Sequence, residues 1–463
     1  MAVARGKSLF VSIFSLIFAF GIAAPTFAAP GGTEWSVAAR RDFAALERRM
    51  EARPNGKLSG AWGSFGVEIG GRLRSKRFKH RFFKYDPEFQ AEAPPIEYLV
   101  SRTGRSVSPL VIYFPGVFGD ATSAGGLLAA RMFRRARNHV VVLPNPWSRD
   151  FQAARPKFMP GQFDHEAAVM VEMIRDAIAF IGPERISELH FFGESYGGFL
   201  APATAKAYNE SGFGHVKSVT SVSVPYQIGN AIEVLDRLSD RQEANYFDKG
   251  CGVQAKNFFN LVGFVYQMIV NPNRDEIYTR DGTPCSAALF SYVAFEQPLY
   301  RMAKEVNERA HFPAWEAHPD SYWMRKARFQ TIGPIFYDAP IESILGASSA
   351  NLAYWVDSAR GQGTSTLALI AKDDPLNPPP GVGSYEVIDA YEPAEILVLS
   401  KGGHLGFRGT KEYRRLLRDR YRDAQVAPED ANAPDYSLDN DPSAATDGYD
   451  DSADVDAAEE LPF

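Results

Sequence analysis

A glycine-rich turn around one serine is the feature that most constrains the fold of this chain. Residues 193–198 read Gly-Glu-Ser-Tyr-Gly-Gly and match the pattern G-x-S-x-G. A short buried strand pattern (LHFF) precedes the turn directly, and a helical pattern (FLAPATAKAYN) follows it. A strand that passes straight into a helix needs small residues on both sides of the serine. The pattern therefore predicts that Ser195 projects above a sheet edge, between Gly193 and Gly197.

Strand and helix patterns alternate between residues 95 and 225, which predicts a parallel sheet with crossover helices. The predicted strands and helices are, in order, strand 109–114, helix 124–137, strand 139–143, helix 166–181, strand 189–192, strand 216–224, strand 366–370, strand 395–399 and a basic amphipathic helix over 410–423. Residues 226–360 are aromatic-rich with a mostly helical period. The economical interpretation is a sheet that is interrupted by a helical insertion and then completed.

The start of the chain has the pattern of a secretory signal peptide. Two cationic residues, Arg5 and Lys7, precede an apolar run over residues 8–24, and cleavage is expected after Ala28 or Ala29. The alternative is an uncleaved membrane anchor, for which the run is slightly short of the ~20 residues of a spanning helix. The pattern favours an exported protein, periplasmic or extracellular.

The net negative charge of the chain comes from residues 425–463. The 463 residues carry a net charge of −6, but residues 425–463 hold twelve Asp and Glu and no Lys or Arg. This tail lacks the apolar content that offsets ordering entropy, so it is predicted to be disordered. With 45% hydrophobic and 23% charged residues the composition is that of a globular protein. The negative balance argues against nucleic acid as a partner.

These observations divide the chain into six parts. They are a leader (1–28), an N-terminal segment leading into the sheet (29–94), the first part of the core (95–225), a helical cap (226–360), the second part of the core (361–424) and the acidic tail (425–463).

Cys251 and Cys285 are the two cysteines of the chain. Two cysteines exclude a disulfide-scaffold fold and a multi-cysteine metal cluster. Export permits a disulfide between them, which we favour over two buried free thiols. His311 and His318 have no partners at metal-ligand spacing, so no metal site is predicted.

A serine nucleophile needs a base, and the base needs an orienting carboxylate. His404 follows the strand pattern 395–399 within Gly-Gly-His-Leu-Gly-Phe, and it is the one histidine beyond the candidate acids. Asp373 and Asp374 follow the strand pattern 366–370. The usual offset from the strand favours Asp374 as the acid, with Asp373 as second choice.

An acyl-transfer site also needs backbone donors for the developing oxyanion. The loop Pro115–Asp120 follows the strand pattern 109–114, and Gly116 lets its backbone turn. The N–H groups of Val117 and Tyr196 are the predicted donors. The serine, the acid and the histidine follow strand ends in the chain order that such a site requires.

In these motifs the sequence resembles the α/β-hydrolases, over about residues 95–225 and 360–420. Asp-Asp-Pro followed by Gly-Gly-His-x-Gly-Phe resembles the YheT-like branch of bacterial hydrolases. The Gly-Glu-Ser-Tyr-Gly-Gly turn is closer to that of serine carboxypeptidases, and Pro115-Gly116 replaces the usual His-Gly of the oxyanion loop. The resemblance implies a Ser195–His404–Asp374 triad that hydrolyses an acyl bond without a metal or organic cofactor.

Three functions follow from these motifs. An esterase, lipase or thioesterase acting on a small-molecule or lipid-like acyl substrate is favoured. A peptidase or amidase of the same fold is the second, supported by the carboxypeptidase-like turn. A non-catalytic binding protein that retains the fold is the third.

The insertion is expected to cover the strand ends as a cap. Its aromatic residues are either plain core or the lining of an acyl pocket, and they are Phe258, Phe259, Phe264, Tyr266, Phe290, Tyr292 and Phe295. The basic stretch 72–84 is interpreted as an exposed strand or loop with solvated charge rather than a contact for an anionic membrane.

Overall fold

The residues that the structure describes form an eight-stranded, mostly parallel sheet. The structure is a computed structural model. It describes residues 37–52, 78–84, 93–247, 295–325, 327–337, 348–372, 374, 376–377, 396–408 and 410–421. The predicted leader, the acidic tail, both cysteines and Asp373 lie outside the described residues.

Six of the eight described strands lie where the sequence predicts strands, and the first two are additional. The eight are β1 (Lys79–Phe83), β2 (Ile96–Ser101), β3 (Ser108–Phe114), β4 (His139–Val142), β5 (Ile186–Glu194), β6 (Ser218–Val222), β7 (Ser365–Ala371) and β8 (Ile396–Leu399). Across the sheet their order is β1-β2-β4-β3-β5-β6-β7-β8. The basic stretch contributes the exposed edge strand β1, where charged and aromatic side chains face solvent.

One strand of the sheet is reversed. β2 runs antiparallel to both of its neighbours, β1 and β4. The other neighbouring pairs, from β4 across to β8, are parallel. This order, with a single reversed strand in second position, is that of the α/β-hydrolase fold. The predicted fold class is therefore confirmed.

Helices cover both faces of the sheet. In chain order they are α1 (Val37–Glu51), α2 (Ala124–Arg135), α3 (Arg149–Ala153), α4 (Phe163–Ile181), α5 (Gly197–Glu210), α6 (Ile228–Phe247), α7 (Gln297–Ala310), α8 (Pro313–Glu316), α9 (Asp320–Arg325), α10 (Phe329–Tyr337), α11 (Leu352–Gly361) and α12 (Lys411–Arg420). α1, α2 and α12 share an apolar cluster with one face, and α4 and α5 share one with the other.

β3 shows why a buried parallel strand has a continuous apolar sequence. All seven of its residues are buried. Because successive side chains point to opposite faces, Val111 and Tyr113 join the cluster under α2, whereas Leu110 and Ile112 join the cluster under α4. A strand covered on both faces therefore has apolar residues along most of its length, and the polar residue that begins β3, Ser108, has a hydrogen-bond partner in Thr103.

The described part of the predicted insertion is mostly helical, and its helices α6 to α10 are called the cap below. Their apolar residues share one cluster with Tyr196 and Val224, at the ends of β5 and β6. The last helix before β7, α11, packs instead against α5 and β7 and so covers the sheet. Among the helices that the structure describes, none is both long and apolar enough to cross a membrane.

Buried charged groups fix the helices of the cap to one another. The Asp236 carboxylate in α6 accepts hydrogen bonds from the backbone N–H groups of Phe329 (2.9 Å) and Gln330 (2.8 Å), at the start of α10. The first N–H groups of a helix have no partner within the helix, so Asp236 caps α10 from outside. Glu296 and Arg328, 3.1 Å apart, form a second buried link between α7 and α10.

We predict that Asp236→Ala lowers the free energy of unfolding by about 2 kcal/mol, because two buried N–H groups lose a charged acceptor. Urea denaturation measures the change. Asp357→Ala, which removes an exposed carboxylate from α11, is the control and is expected to stay within about 0.5 kcal/mol. Equal losses in the two variants would contradict the capping role.

Candidate active site

Ser195 occupies a strained turn between β5 and α5. Its φ is +54°, a left-handed conformation that residues with a Cβ rarely adopt. A Cβ atom at Gly193 would lie 2.0 Å from the Gly197 carbonyl oxygen, and one at Gly197 would lie 2.1 Å from the Phe114 carbonyl oxygen. Side chains are therefore excluded on both sides of the serine. The Ser195 N–H donates to the Val222 carbonyl (2.8 Å), which ties the turn to the end of β6.

His404 lies in the loop after β8 and reaches Ser195. The distance from His404 Nε2 to Ser195 Oγ is 2.9 Å, and both residues are buried. The next residue, Leu405, has a φ of +64° and donates its N–H to Ser223 Oγ at 3.0 Å. The loop is thus held in an unusual conformation by the end of β6.

Asp374 follows β7 and completes the constellation. Its Oδ2 lies 2.9 Å and its Oδ1 3.2 Å from His404 Nδ1. A carboxylate accepts, so the neutral imidazole carries its proton on Nδ1 and leaves Nε2 to accept from the Ser195 hydroxyl. The Leu376 N–H also donates to Asp374 Oδ1 (2.9 Å) and fixes the carboxylate in place. The structure therefore brings together the serine, the histidine and the favoured acid.

The predicted oxyanion donors lie beside the serine. Val117 and Tyr196 both line the cavity that contains Ser195. Within the described part of the chain, neither backbone N–H has an acceptor. A Cβ at Gly116 would lie 3.2 Å from Ser195 Cβ, which shows how closely the Val117 loop approaches the serine. Tyr196 also precedes α5, whose N-terminal dipole favours negative charge at this position.

Sequence reasoning missed Asn145, which fixes the Val117 loop. It is fully buried after β4, and its Nδ2 donates to the Pro115 carbonyl at 2.9 Å. Its own N–H donates to the Gly119 carbonyl at 2.8 Å. An asparagine after a strand is common in turns, so no local signal distinguishes this one.

A mostly apolar cavity of about 350 Å³ adjoins Ser195. Its walls come from the loop after β3, the start of α4 and the cap helices α6 and α10. Apolar and aromatic lining residues include Trp147, Phe163, Ile228, Ile232, Leu235, Phe295, Phe329 and Leu376. Phe295 was one of the seven candidate pocket residues, and the other six lie outside the described residues.

Glu166 is a buried acid beside this cavity that the sequence did not single out. Its carboxylate accepts from the Tyr196 hydroxyl (2.8 and 3.0 Å) and from the Gly161 N–H (2.6 Å). Burial raises the pKa of Glu166 to about 7, although these two hydrogen bonds oppose the shift. A glutamate in the first turn of α4 is an ordinary helix-terminus residue, so its burial is visible only in the fold.

Comparison with known proteins gives structural likeness only. No family model matches the sequence, and no curated protein matches it. Carboxyl esterase 2 from Tuber melanosporum is similar at 11% identity, over 82% of this chain and 97% of that chain, with a TM-score of 0.38. A hyperthermophilic esterase from Pyrobaculum calidifontis is similar at 12% identity, over 85% and 99%, with a TM-score of 0.40. The fold assignment rests on the strand order and not on these scores.

The described residues contain no cluster of three or more His, Cys, Asp or Glu side chains placed to hold a metal ion. The groups that do converge are a serine, an imidazole and a carboxylate. Their arrangement suits proton transfer from the hydroxyl to the imidazole, with the carboxylate stabilising the resulting imidazolium.

The raised pKa of Glu166 predicts a pH-dependent stability difference. Between the ordinary value of 4.5 and about 7 the folded protein binds a proton that the unfolded chain releases, so stability falls as pH rises. We expect wild type to lose about 3 kcal/mol more than Glu166→Gln between pH 4 and pH 8.

Urea denaturation at both pH values measures this difference. Glu172→Gln, which removes an exposed carboxylate from the same helix, is the control. A pH dependence in Glu166→Gln that matches wild type would contradict the assignment.

Proposed function

We propose that this protein is a serine hydrolase that cleaves carboxylic esters or thioesters through Ser195, His404 and Asp374. The observation that carries the proposal is the juxtaposition of the three side chains. Ser195 Oγ lies 2.9 Å from His404 Nε2, and His404 Nδ1 lies 2.9 Å from Asp374 Oδ2, beside an apolar cavity. A nucleophile, a base and an orienting acid within hydrogen-bond reach are the parts that acyl transfer requires.

The reaction has two halves. His404 Nε2 takes the proton of Ser195 Oγ as the oxygen attacks the substrate carbonyl, and the negative charge on the tetrahedral intermediate meets the N–H groups of Val117 and Tyr196. The intermediate collapses to an acyl-enzyme while the imidazolium returns the proton to the leaving alcohol or thiol. Water, deprotonated by His404, then attacks the acyl group and regenerates the serine. Asp374 stabilises the imidazolium in both halves.

The cavity favours an uncharged, apolar acyl group. Its volume of about 350 Å³ is more than twice that of a ~150 Å³ apolar cavity that binds benzene. Its described lining is mostly apolar and contains no Lys or Arg, which favours an uncharged acyl group over one that carries a second carboxylate. This supports ester hydrolysis over removal of residues from a peptide C-terminus.

Export to the periplasm or the extracellular space is part of the same proposal. The cationic start, the apolar run and the small residues Thr26 and Ala28 before the expected cleavage site support it. Export also places Cys251 and Cys285 in an oxidising environment, where the proposed disulfide between them can form.

Ser195→Ala is expected to lower turnover of an acyl ester roughly 10⁴–10⁶-fold while the fold is retained, because the nucleophile alone is lost. Hydrolysis of p-nitrophenyl esters and labelling by a fluorophosphonate measure the effect. Wild-type protein that neither labels nor hydrolyses esters would favour the binding-protein alternative. Cleavage of a peptide panel in place of the esters would favour the peptidase.

The cavity itself is tested by Ile232→Trp, which enlarges a lining side chain of α6 and fills part of the cavity. We expect kcat/KM for a decanoyl ester to fall at least about tenfold, whereas that for an acetyl ester stays within about threefold, because only the long chain needs the filled volume. The acetyl ester is the internal control for folding and chemistry. An equal loss on both esters would remove the cavity from the acyl-binding role.

A further inference from the structure

A buried polar cluster joins the serine turn to the histidine loop. Glu194 directly precedes Ser195, and Arg408 is the fourth residue after His404. The two side chains form an ion pair, with exposures of 2% and 5%. We propose that Glu194, Arg408 and Tyr113 position the histidine loop so that His404 meets Ser195. This inference rests on the proposed function.

The cluster is closed by hydroxyl groups. Tyr113, in β3, donates its hydroxyl proton to Glu194 Oε2 (2.6 Å) and accepts from Arg408 Nη2 (2.7 Å). Tyr413, in α12, donates to Glu194 Oε1 at 3.4 Å. Each of these groups is buried, so the network is shielded from water.

The two loops need such a link because no strand pairing joins them. Ser195 follows β5 and His404 follows β8, and two strands, β6 and β7, lie between them. The bond from the Leu405 N–H to Ser223 Oγ holds one side of the histidine loop. The Arg408 guanidinium holds its other end, where the Arg408 N–H also closes the turn by donating to the Leu405 carbonyl at 3.0 Å.

The chemistry of the pair suits positioning better than stability. Burying an ion pair removes both charges from water, and well-packed apolar side chains of similar size stabilise a protein as well or better. An arginine and a carboxylate instead fix the relative orientation of the two segments, because the planar guanidinium donates its hydrogen bonds only in fixed directions. A displacement of 1 Å between nucleophile and base lowers rates by about 10². The network therefore restricts the distance on which the proposed chemistry depends.

The test compares two fully buried tyrosines. Tyr113→Phe removes the hydroxyl that bridges Glu194 and Arg408 but leaves the ion pair. Tyr421→Phe, the matched control, removes a hydroxyl that donates to Thr220 Oγ1 at 2.6 Å. Thermal unfolding, kcat and KM on one acyl ester, and the rate of fluorophosphonate labelling are measured at a temperature where all proteins are folded.

We expect Tyr113→Phe to lower kcat and the labelling rate at least about fivefold with KM within about twofold, and Tyr421→Phe to stay within about twofold in all three. Equal values for the two variants overturn the proposal, because a purely structural role predicts losses that follow stability alone. A wild-type protein that neither labels nor turns over acyl esters instead refutes the proposed function.

The double variant Glu194→Gln with Arg408→Met provides a second test, since it leaves no unpaired buried charge. Folding is expected to survive, yet kcat should fall at least about tenfold, because an apolar contact does not orient the loop. Wild-type kcat in this protein would overturn the positioning role even if Tyr113→Phe failed to fold.

Discussion

The conformation of Ser195 is the constraint on which the rest of the site depends. A φ of +54° turns the chain sharply enough to pass from β5 into α5 and leaves the side chain at the sheet edge. A strained backbone conformation of this kind persists only when the surrounding structure holds it in place. Here the backbone of Gly197 touches the end of β3, and the Ser195 N–H is bonded to the end of β6. Three neighbouring strands thus hold one residue in a conformation that isolated chains avoid.

The same strand ends supply the other groups of the site. Parallel strands present their carboxyl ends at one edge, so the loops after β3, β5, β7 and β8 meet there although they are distant in sequence. Residues of α6 and α10 line the cavity beside Ser195, and the bonds from Asp236 to the start of α10 fix the cavity wall that contains Phe329. In the proposed hydrolysis the sheet therefore sets where the reacting groups lie, and the cap sets which groups of a substrate fit beside them.

The parts of this arrangement that sequence predicted are those with a local signature. Ser195 has flanking glycines and a strand before it, and His404 and Asp374 each follow a short apolar run. β2 escaped prediction as a separate strand, although Pro94 and Pro95 precede it, because Glu97 interrupts its apolar pattern. Glu166 and Arg408 escaped for a different reason. Each stands in a helix start or loop where a charged residue is ordinary, and only the assembled fold shows that it is buried.

Three buried carboxylates, Asp374, Glu194 and Glu166, belong to the serine site or adjoin it, and in the proposed hydrolysis their charges act on the oxyanion that forms there. In a medium of low polarity an uncompensated carboxylate opposes a second negative charge strongly. Each acid is compensated in its own way: Asp374 by the His404 N–H and a backbone N–H, Glu194 by the Arg408 cation, and Glu166 by the Tyr196 hydroxyl and by a pKa of about 7 that keeps part of the population neutral. Because Arg408 is the only one of these partners with a permanent charge, it does most to keep the surroundings of the serine compatible with an oxyanion. The cation that orients the histidine loop thus also offsets the carboxylate next to the nucleophile, and a neutral substitute such as methionine would lose both effects at once.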